Sequence, residues 1–343
     1  MGQHVISADV GGTNSRLQLY AGVPPVDGFA LLAEAVFPSS DFASLTALVV
    51  RFLDKVGFDG VVDAACIAVC GPVENEDRMC GPVLPEQPPT QWNACAADLM
   101  AGPLKGRVRK AVLINDFVAV GFGLTALPPK DAEMLHPAAV KPRAPIACIG
   151  AGTGLGEVFL TWEASKGRYT AWPSEGGMTP YSPLTEREWD LRQWCVARDG
   201  YATVESVVSG PGLRNTFQYL VSTGMADTIT AGVAPEGLPR AIAEAGLAKT
   251  DPVASEALEV VMRAWASECR QVSLRVMPYG GLYLAGGLAP KLLPAIKEFL
   301  VPEFLEGDKL MASVHTEIPL LAVTNESVGL LGAKVRAVML LDE

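Results

Sequence analysis

The sequence predicts an α/β protein of two domains, because the strand-and-turn pattern that opens the chain returns in its second half. A glycine-rich turn that carries a threonine, DVGGTN at residues 9–14, follows a short apolar run. A second such turn, GAGTGLG at residues 150–156, follows another. The chain has 343 residues and is 49% hydrophobic, which is enough for a sizeable core in each of two domains.

Both turns have the residue types of an anion-binding loop. Glycine lets backbone N–H groups approach an anion, and the threonine hydroxyl adds a donor without adding charge. The first turn lacks the lysine of a P-loop, and the second lacks the spacing of a dinucleotide-binding fingerprint. A single Gly-Gly-Thr is more often only a tight turn, but the second copy favours phosphate binding. We therefore expect two phosphate-binding turns and a cleft between two related halves.

The first half reads as three antiparallel strands over residues 5–9, 15–20 and 29–37, followed by a helix that Gly57 ends. A buried strand at 64–69 and a further strand at 111–114 complete it. Asp9 closes the first strand, so its carboxylate is placed to reach a metal-bound phosphate through water. Residues 82–89 are rich in proline and predict a loop.

The same pattern restarts in the second half. A strand begins at Ile146 and leads into the second glycine turn, and further strands are predicted over residues 156–161 and 169–172. Thr185 opens a capping box and a helix, and Asp251 precedes a long helix with a buried stripe. A strand at 281–285, a helix near 290–299 and a last helix from about Ser327 follow.

Composition excludes several classes of partner. The net charge is −11, from 38 acidic and 27 basic residues without a basic run, which argues against nucleic-acid binding. No apolar run approaches the roughly 20 residues needed to cross a bilayer, so we expect no membrane partner. The seven cysteines are odd in number and scattered, which indicates reduced thiols. With the first strand so close to Met1, the expected location is the cytoplasm.

Asn115 and Asp116 follow an apolar strand at its carboxyl end, where open α/β sheets bind ligands. One interpretation is an Asx turn or a helix cap. The functional interpretation is that Asp116 accepts the proton of a hydroxyl group that Asn115 orients. A positioned carboxylate contributes roughly 10² to 10⁴-fold to such a step.

Two further carboxylates, Glu175 and Glu205, lie in glycine-containing segments. Carboxylates accept several hydrogen bonds and therefore suit a ligand with vicinal hydroxyl groups, such as a sugar. The alternative for each is a solvated loop charge. Gly286 and Gly287 end a strand where adenine or ribose could lie on bare backbone, although an ordinary strand-to-helix turn has the same pattern.

Taken in order, these motifs resemble those of ATP-dependent glucokinases of the bacterial type, above all the cyanobacterial and algal branch. The segments that carry the resemblance are ADVGGTN at 8–14, LINDF at 113–117, GAGTGLG at 150–156, SEGG at 174–177, VSGPGL at 208–213 and LAGG at 284–287. They extend from the first strand almost to the last helix.

The resemblance implies the two-domain, actin-like ATPase fold (ribonuclease H-like), in which each domain is a mixed five-stranded sheet flanked by helices. The small N-terminal domain would comprise residues 1–115 plus 326–343, and the large domain residues 116–325, with the active site in the cleft between them. The resemblance also implies a homodimer.

The implied activity is phosphorylation of glucose by ATP with Mg²⁺, the first step of glycolysis. Asp116 would be the catalytic base, and the sugar ligands would be Asn115, Asp116, Glu175 and Glu205. The residues assigned to ATP are Asp9, Gly11, Gly12, Thr13, Asn14, Gly152, Thr153, Gly154, Gly286 and Gly287. Asp9 would also hold Mg²⁺ through water.

The chain departs from the family pattern at two places. Met178 replaces a histidine that follows Ser-Glu-Gly-Gly in the family, and a Thr-Asn pair is missing or displaced between Met79 and Trp92. Each lost hydrogen bond costs roughly 0.5 to 3 kcal/mol. These departures leave open a kinase for another hexose, or a catalytically impaired sugar- or nucleotide-binding sensor or scaffold. The four-cysteine cluster of some relatives is absent from the sequence, so no structural zinc is expected.

Overall fold

The computed structural model describes residues 2–79, 92–307 and 309–343. The chain divides into two compact units, Met1–Pro128 with Ser327–Glu343, and Pro129–Glu326. The first unit thus runs past the boundary at residue 115 that the resemblance implied. The segment after Asn115 belongs to it because the helix that begins there packs on the C-terminal helix.

The strands of both units are named here in chain order: β1 (Gln3–Val10), β2 (Asn14–Gly22), β3 (Phe29–Pro38), β4 (Ala64–Val69), β5 (Val73–Glu74), β6 (Arg78–Met79), β7 (Ala111–Asn115), β8 (Ala132–His136), β9 (Ile146–Ala151), β10 (Leu155–Glu163), β11 (Arg168–Ser174), β12 (Leu282–Ala285) and β13 (Leu320–Val323).

The α-helices are α1 (Leu45–Lys55), α2 (Asp116–Leu124), α3 (Glu186–Asp199), α4 (Gly210–Ser222), α5 (Leu238–Leu247), α6 (Pro252–Val276), α7 (Leu288–Lys291), α8 (Leu293–Ala295), α9 (Val301–Glu306), α10 (Ala312–His315) and α11 (Val328–Met339).

The first unit is built on a five-stranded sheet in the order β3-β2-β1-β4-β7, as expected. The strands β1, β2 and β3 form the antiparallel meander that the sequence predicted. β4 then pairs parallel with β1, and β7 pairs parallel with β4. β4 is buried along its whole length, which explains its uninterrupted run of apolar residues.

The parallel strands of this sheet end at one level. Val10 of β1 pairs with Val69 of β4, and Val69 pairs with Asn115 of β7. Parallel strands present their carboxyl ends at the same edge of a sheet, so the residues that follow these three strands are neighbours. This register positions the candidate site of the first unit.

The last helix, α11, packs closely on α2. A Cβ atom built on Gly332 would lie 1.6 Å from Ala119 O and 2.5 Å from Gly123 N, so only glycine allows this approach of two backbones.

The second unit contains a sheet of six strands in the order β11-β10-β9-β12-β13-β8, and the expectation of five strands is therefore wrong here. The additional strand is β8, which pairs antiparallel with β13 at the sheet edge. β8 has no fully buried residue. Its sequence, AEMLH, therefore lacks the strong alternation that identifies a strand.

Two helices of the second unit begin as the sequence predicted. Thr185 caps α3 in a capping box with Glu188, and Asp251 caps α6 by accepting a hydrogen bond from Ala254 N. The helix expected near 290–299 is present but interrupted at two places: a turn at Leu292 separates α7 from α8, and a π-helical turn at Ile296–Leu300 joins α8 to α9. Prolines in the first turns of α8 and α9 account for the interruptions, because proline lacks the N–H that a continuous helix needs.

The predicted loop at 82–89 lies outside the described residues. Trp92, which follows the undescribed segment, donates from Nε1 to Phe42 O at 3.0 Å. Among the residues that the structure describes, no helix is both long and apolar enough to span a bilayer.

Substitution of Gly332 with alanine tests the packing of α11 on α2. We expect Gly332→Ala to lower the free energy of unfolding by about 1 to 3 kcal/mol, because the new methyl group overlaps backbone atoms. Gly329→Ala is the matched control on the same helix, since its Cβ would meet its nearest neighbours at 3.8 and 3.9 Å. Chemical denaturation measures both. Equal stability of the two variants would contradict the close approach.

Candidate active site

The first glycine turn joins β1 to β2 and is held by its own backbone and by Ser39. Gly11 N donates to Asn14 O at 3.0 Å, and Ser39 N donates to Thr13 O at 2.9 Å. Ser39 Oγ also donates to Gly11 O at 2.7 Å. Thr13 and Asn14 are exposed, whereas Ser39 is fully buried. Sequence reasoning missed Ser39 because it is distant in the chain and belongs to no motif.

Asp9 is the penultimate residue of β1, one position before the strand ends at Val10. Solvent reaches its side chain, yet protein atoms crowd around it. The resulting desolvation raises the pKa of Asp9, and the positive charge of Arg16 opposes this rise. A carboxylate that is open to solvent and partly desolvated suits a hydrated cation.

Asn115 does act as a helix cap, as the structural interpretation proposed. Its Oδ1 accepts from Phe117 N at 2.8 Å and Val118 N at 3.2 Å, and its Nδ2 donates to Gly71 O at 3.1 Å. These bonds fix the start of α2 and tie it to the end of β4. The cap therefore also sets the position of the next residue, Asp116.

Asp116 is half-buried at the first position of α2. Its Oδ1 accepts from Phe117 N at 2.9 Å, which limits rotation of the carboxylate. The thiol of Cys70 lies near both Asp116 and Asp9. Burial raises the pKa of this thiol, and the negative charges of Asp116 and then Asp9 raise it further. Both carboxylates therefore lie at the same sheet edge, beside the end of β4.

In the second unit, the second glycine turn lies beside two other backbone segments. β12 pairs parallel with β9, and Ala285 is opposite Gly150. Gly286 has a φ of +78°, and a Cβ on it would lie 2.4 Å from Ala151 O. Only glycine allows this approach, which brings residues 286–287 alongside the turn at 152–154.

The N-terminus of α4 contacts the same turn. Gly210 N donates to Gly152 O at 2.8 Å, and Gly152 N donates to Gly154 O at 2.8 Å. Ser209 caps the helix by accepting from Gly212 N at 2.9 Å. The positive end of the helix dipole therefore lies at the turn, which favours an anion there.

Glu175 and Glu205 are brought together in the second unit. Glu205 Oε2 accepts from Leu155 N at 2.8 Å, and Glu205 N donates to Gly177 O at 2.9 Å. Burial, followed by the negative charge of Glu205, raises the pKa of Glu175. The expected pairing of these two acids is consistent with one shared polar ligand. Met178 is 51% exposed and donates from its backbone to Glu175 O at 3.0 Å.

A cavity of about 1040 Å³ opens beside the second turn, a volume at the upper end of ordinary ligand pockets. Gly152, Thr153 and Gly287 line one part of it, and the remainder is mostly apolar side chains of α4, α5 and α7. The basic residues that line it are Arg214, Arg240 and Lys291, and the acidic residues Glu236 and Glu244 line it as well. Arg240 Nε donates to Glu244 Oε1 at 2.7 Å. Sequence reasoning missed these cations because they lie on separate helices and follow no motif.

The described residues contain no group of three or more His, Cys, Asp or Glu side chains that could hold a metal ion. This arrangement does not exclude Mg²⁺, which keeps several waters and usually binds one or two carboxylates together with substrate phosphates. Asp9, with Asp116 at the same sheet edge, fits that pattern.

Each unit thus assembles its share of the candidate residues. The first unit holds Asp9, Gly11, Gly12, Thr13, Asn14, Asn115 and Asp116 around one sheet edge. The second holds Gly152, Thr153, Gly154, Glu175, Glu205, Gly286 and Gly287. Glycine turns suited to an anion, a cavity of about 1040 Å³ and carboxylates suited to hydroxyl groups are what a sugar kinase requires.

The family model for glucokinase matches residues 6–339. The chain is 32% identical to a glucokinase of Nostoc sp. strain PCC 7120, over 98% of this chain and 99% of the relative. It is 31% identical to a glucokinase of Synechocystis sp. strain PCC 6803, over 98% of each chain. The chain belongs to the glucokinase family, and the resemblance to cyanobacterial members is confirmed.

Solved structures confirm the fold. A glucokinase from an Antarctic psychrotroph superposes with a TM-score of 0.79 at 22% identity, over 98% of each chain. A ROK family glucokinase from Streptomyces griseus, in complex with glucose and AMPPNP, superposes with a TM-score of 0.64 at 18% identity. The superposition covers 97% of this chain and 99% of the Streptomyces griseus chain. The actin-like ATPase fold that the resemblance implied is therefore the fold of this chain.

Replacement of Glu205 with glutamine tests the electrostatic coupling of the two acids. We expect Glu205→Gln to lower the pKa of Glu175 toward the ordinary glutamate range, because the substitution removes a neighbouring negative charge but keeps an oxygen for Leu155 N. Carbon-detected NMR titration of the glutamate carboxyl groups measures the shift. Glu163→Gln, at the far end of β10, should leave Glu175 unchanged. An unaltered Glu175 pKa in Glu205→Gln would contradict the coupling.

Proposed function

We propose that this protein transfers the γ-phosphoryl group of ATP to the 6-hydroxyl of glucose, which yields glucose 6-phosphate and ADP. Membership of the glucokinase family supports this activity. The observation that carries this proposal is the position of Asp116. It follows Asn115 where the parallel strands β1, β4 and β7 end at the same level, beside the first glycine turn.

In the proposed reaction Asp116 accepts the proton of the 6-hydroxyl as the sugar oxygen attacks the γ-phosphorus. The bond between the γ-phosphorus and the bridging oxygen breaks, and ADP leaves with that electron pair. Phosphoryl transfer depends mainly on alignment and on stabilisation of charge. Asn115 suits alignment, because its own hydrogen bonds hold it in a single orientation.

The sugar ligands that we propose are Asn115, Asp116, Glu175 and Glu205. The nucleotide ligands are the two glycine turns together with Gly286 and Gly287, and the adenosine is assigned to the cavity that Gly287 lines. Support for these substrates comes from the complex of the Streptomyces griseus relative with glucose and AMPPNP. When bound, Mg²⁺ would neutralise phosphate charge, and Asp9 would hold it through water.

A kinase for another hexose is the alternative that the departure at Met178 raises, and the similarity to glucokinases does not favour it. A thioether is a weak acceptor and cannot donate a hydrogen bond as the histidine of the family pattern does. Comparison of kcat/KM across a panel of hexoses distinguishes the two candidates. The non-catalytic sensor gains no support, because the family model and the similar curated proteins are glucokinases.

The place of the enzyme in the cell is also a proposal. The product is the first intermediate of glycolysis, and we propose a cytoplasmic enzyme that acts as a homodimer. Cell fractionation and the solution mass of the purified protein test location and assembly, respectively.

Asp116→Asn tests the assigned base. We expect kcat to fall roughly 10² to 10⁴-fold because the amide cannot accept the hydroxyl proton, whereas ATP affinity measured by calorimetry should be preserved. A coupled assay for glucose 6-phosphate gives kcat. Asp59→Asn, which replaces an exposed acid of the same unit, is the matched control. Unchanged kcat in Asp116→Asn would remove Asp116 from the mechanism.

Asp9→Asn tests the proposed metal ligand. We expect chelation of Mg²⁺ with EDTA to abolish activity of the native protein. In the variant, the Mg²⁺ concentration for half-maximal rate should rise on the order of 10-fold, since the amide holds the waters of the ion less strongly than a carboxylate. Titration of Mg²⁺ at fixed ATP provides both results, and an identical Mg²⁺ dependence of the two proteins would exclude the role.

A further inference from the structure

Two buried acids lie beneath the segment that carries Glu175. Glu157 projects from β10 and Glu268 from α6, and each is only 1% exposed. Carboxylates are almost never buried to this extent unless they are paired, because desolvation of the charged form is costly. The residue roles described so far do not use either acid.

Glu157 is linked through Ser174 to the segment that carries Glu175. The two residues are opposite each other in the β10–β11 pair. Ser174 Oγ donates to Glu157 Oε2 at 3.4 Å and accepts from Gly176 N at 3.0 Å. This chain of contacts encloses Glu175, which stands between Ser174 and Gly176 in sequence.

Gly176 also rests directly on the same carboxyl group. A Cβ atom on Gly176 would lie 1.9 Å from Glu157 Oε2. The backbone on both sides of Glu175 is therefore supported by a single buried side chain. Any change in the charge or position of Glu157 acts on the orientation of Glu175.

The environment of Glu157 favours a proton on the pair. The negative charge of Glu268 acts on Glu157, and Glu157 Oε1 is buried without a hydrogen-bond partner in the structure, so a proton on Glu157 avoids two neighbouring buried negative charges. Burial, followed by the charge of Glu268, raises the pKa of Glu157 to about 7, and Arg275 opposes the rise. Burial raises the pKa of Glu268 as well.

The groups that face the pair come from each neighbouring element. Ser174 faces it from β11, Cys148 from β9, and Cys269 and Arg275 from α6. Arg275 Nη1 lies 3.5 Å from Glu268 Oε1. Burial raises the pKa of both thiols far above neutrality. The carboxyl pair is therefore the group in this cluster that changes charge near pH 7.

We propose that Glu157, which holds a proton beside the buried Glu268 carboxylate, is a positioning residue that acts through Ser174 and Gly176 on the orientation of Glu175 and thereby makes sugar affinity depend on pH. The proposal rests on the proposed function in one respect, the role of Glu175 as a sugar ligand. Below pH 7 the proton on Glu157 prevents repulsion between the two buried acids. As the pH rises through about 7, Glu157 loses its proton and the two buried carboxylates repel each other. The backbone around Glu175 then becomes less tightly held.

Glu157→Gln is the direct test, because glutamine has the shape of the protonated acid but does not titrate. For the native protein we expect the dissociation constant for glucose, measured by calorimetry, to rise several-fold from pH 6.5 to 8.5, with a parallel rise in KM. In Glu157→Gln both should stay near their low-pH values throughout. The pH profile of kcat should be the same in both proteins, since Asp116 is unchanged.

Two further variants separate positioning from a general loss of structure. Glu163→Gln, on the same strand but outside the cluster, should retain the native pH dependence. Ser174→Ala breaks the link between Glu157 and Gly176 N, so glucose affinity should fall several-fold at every pH with little change in kcat. This variant keeps the test decisive if melting curves show that Glu157→Gln does not fold.

The outcomes are distinct from those that test the proposed function. Glucose binding without turnover by the native protein overturns the kinase assignment but still allows the affinity comparison. Failure to bind glucose at any pH overturns the inference, as does a Glu157→Gln affinity that follows the native pH curve. An unchanged affinity in Ser174→Ala likewise overturns it.

Discussion

The register of the parallel strands β1, β4 and β7 is the constraint on which the first unit depends. Because Val10, Val69 and Asn115 are aligned across the sheet, the segments that follow them share one edge. A shift of one residue in either pairing would turn every side chain of the shifted strand to the opposite face of the sheet. The same alignment brings Asp9 and the first glycine turn next to Asp116 and its capped helix, although these two segments are far apart in the sequence.

The cap at Asn115 shows how a structural role and a functional role coincide. A helix that begins at residue 116 needs an acceptor for its first N–H groups, and Asn115 supplies it while donating to Gly71 O. These bonds leave Asn115 little freedom, which is also what an orienting ligand requires. The structural and functional interpretations of Asn115 and Asp116 are therefore compatible.

In the second unit, the corresponding constraint is the close approach of backbone segments. Gly286 against Ala151, and Gly176 against Glu157, allow contacts that any side chain would prevent. The helix N-terminus at Gly210 supplies positive potential beside the second turn, and Arg214 and Lys291 are among the charged residues of both signs that line the cavity next to it. A chain of net charge −11 can in this way attract an anion locally although its overall charge is repulsive.

The sequence by itself determined the two glycine turns, the meanders that contain them, the capping box at Thr185 and the order of the family motifs. These features are local, so the chemistry of a few adjacent residues fixes them. Tertiary structure decided the edge strand β8, the broken helix near 290, the support from Ser39, the cations of the cavity and the buried Glu157–Glu268 pair. Each of these depends on contacts between residues far apart in the chain, and pairing energy and desolvation at such contacts leave no periodic signal in the sequence.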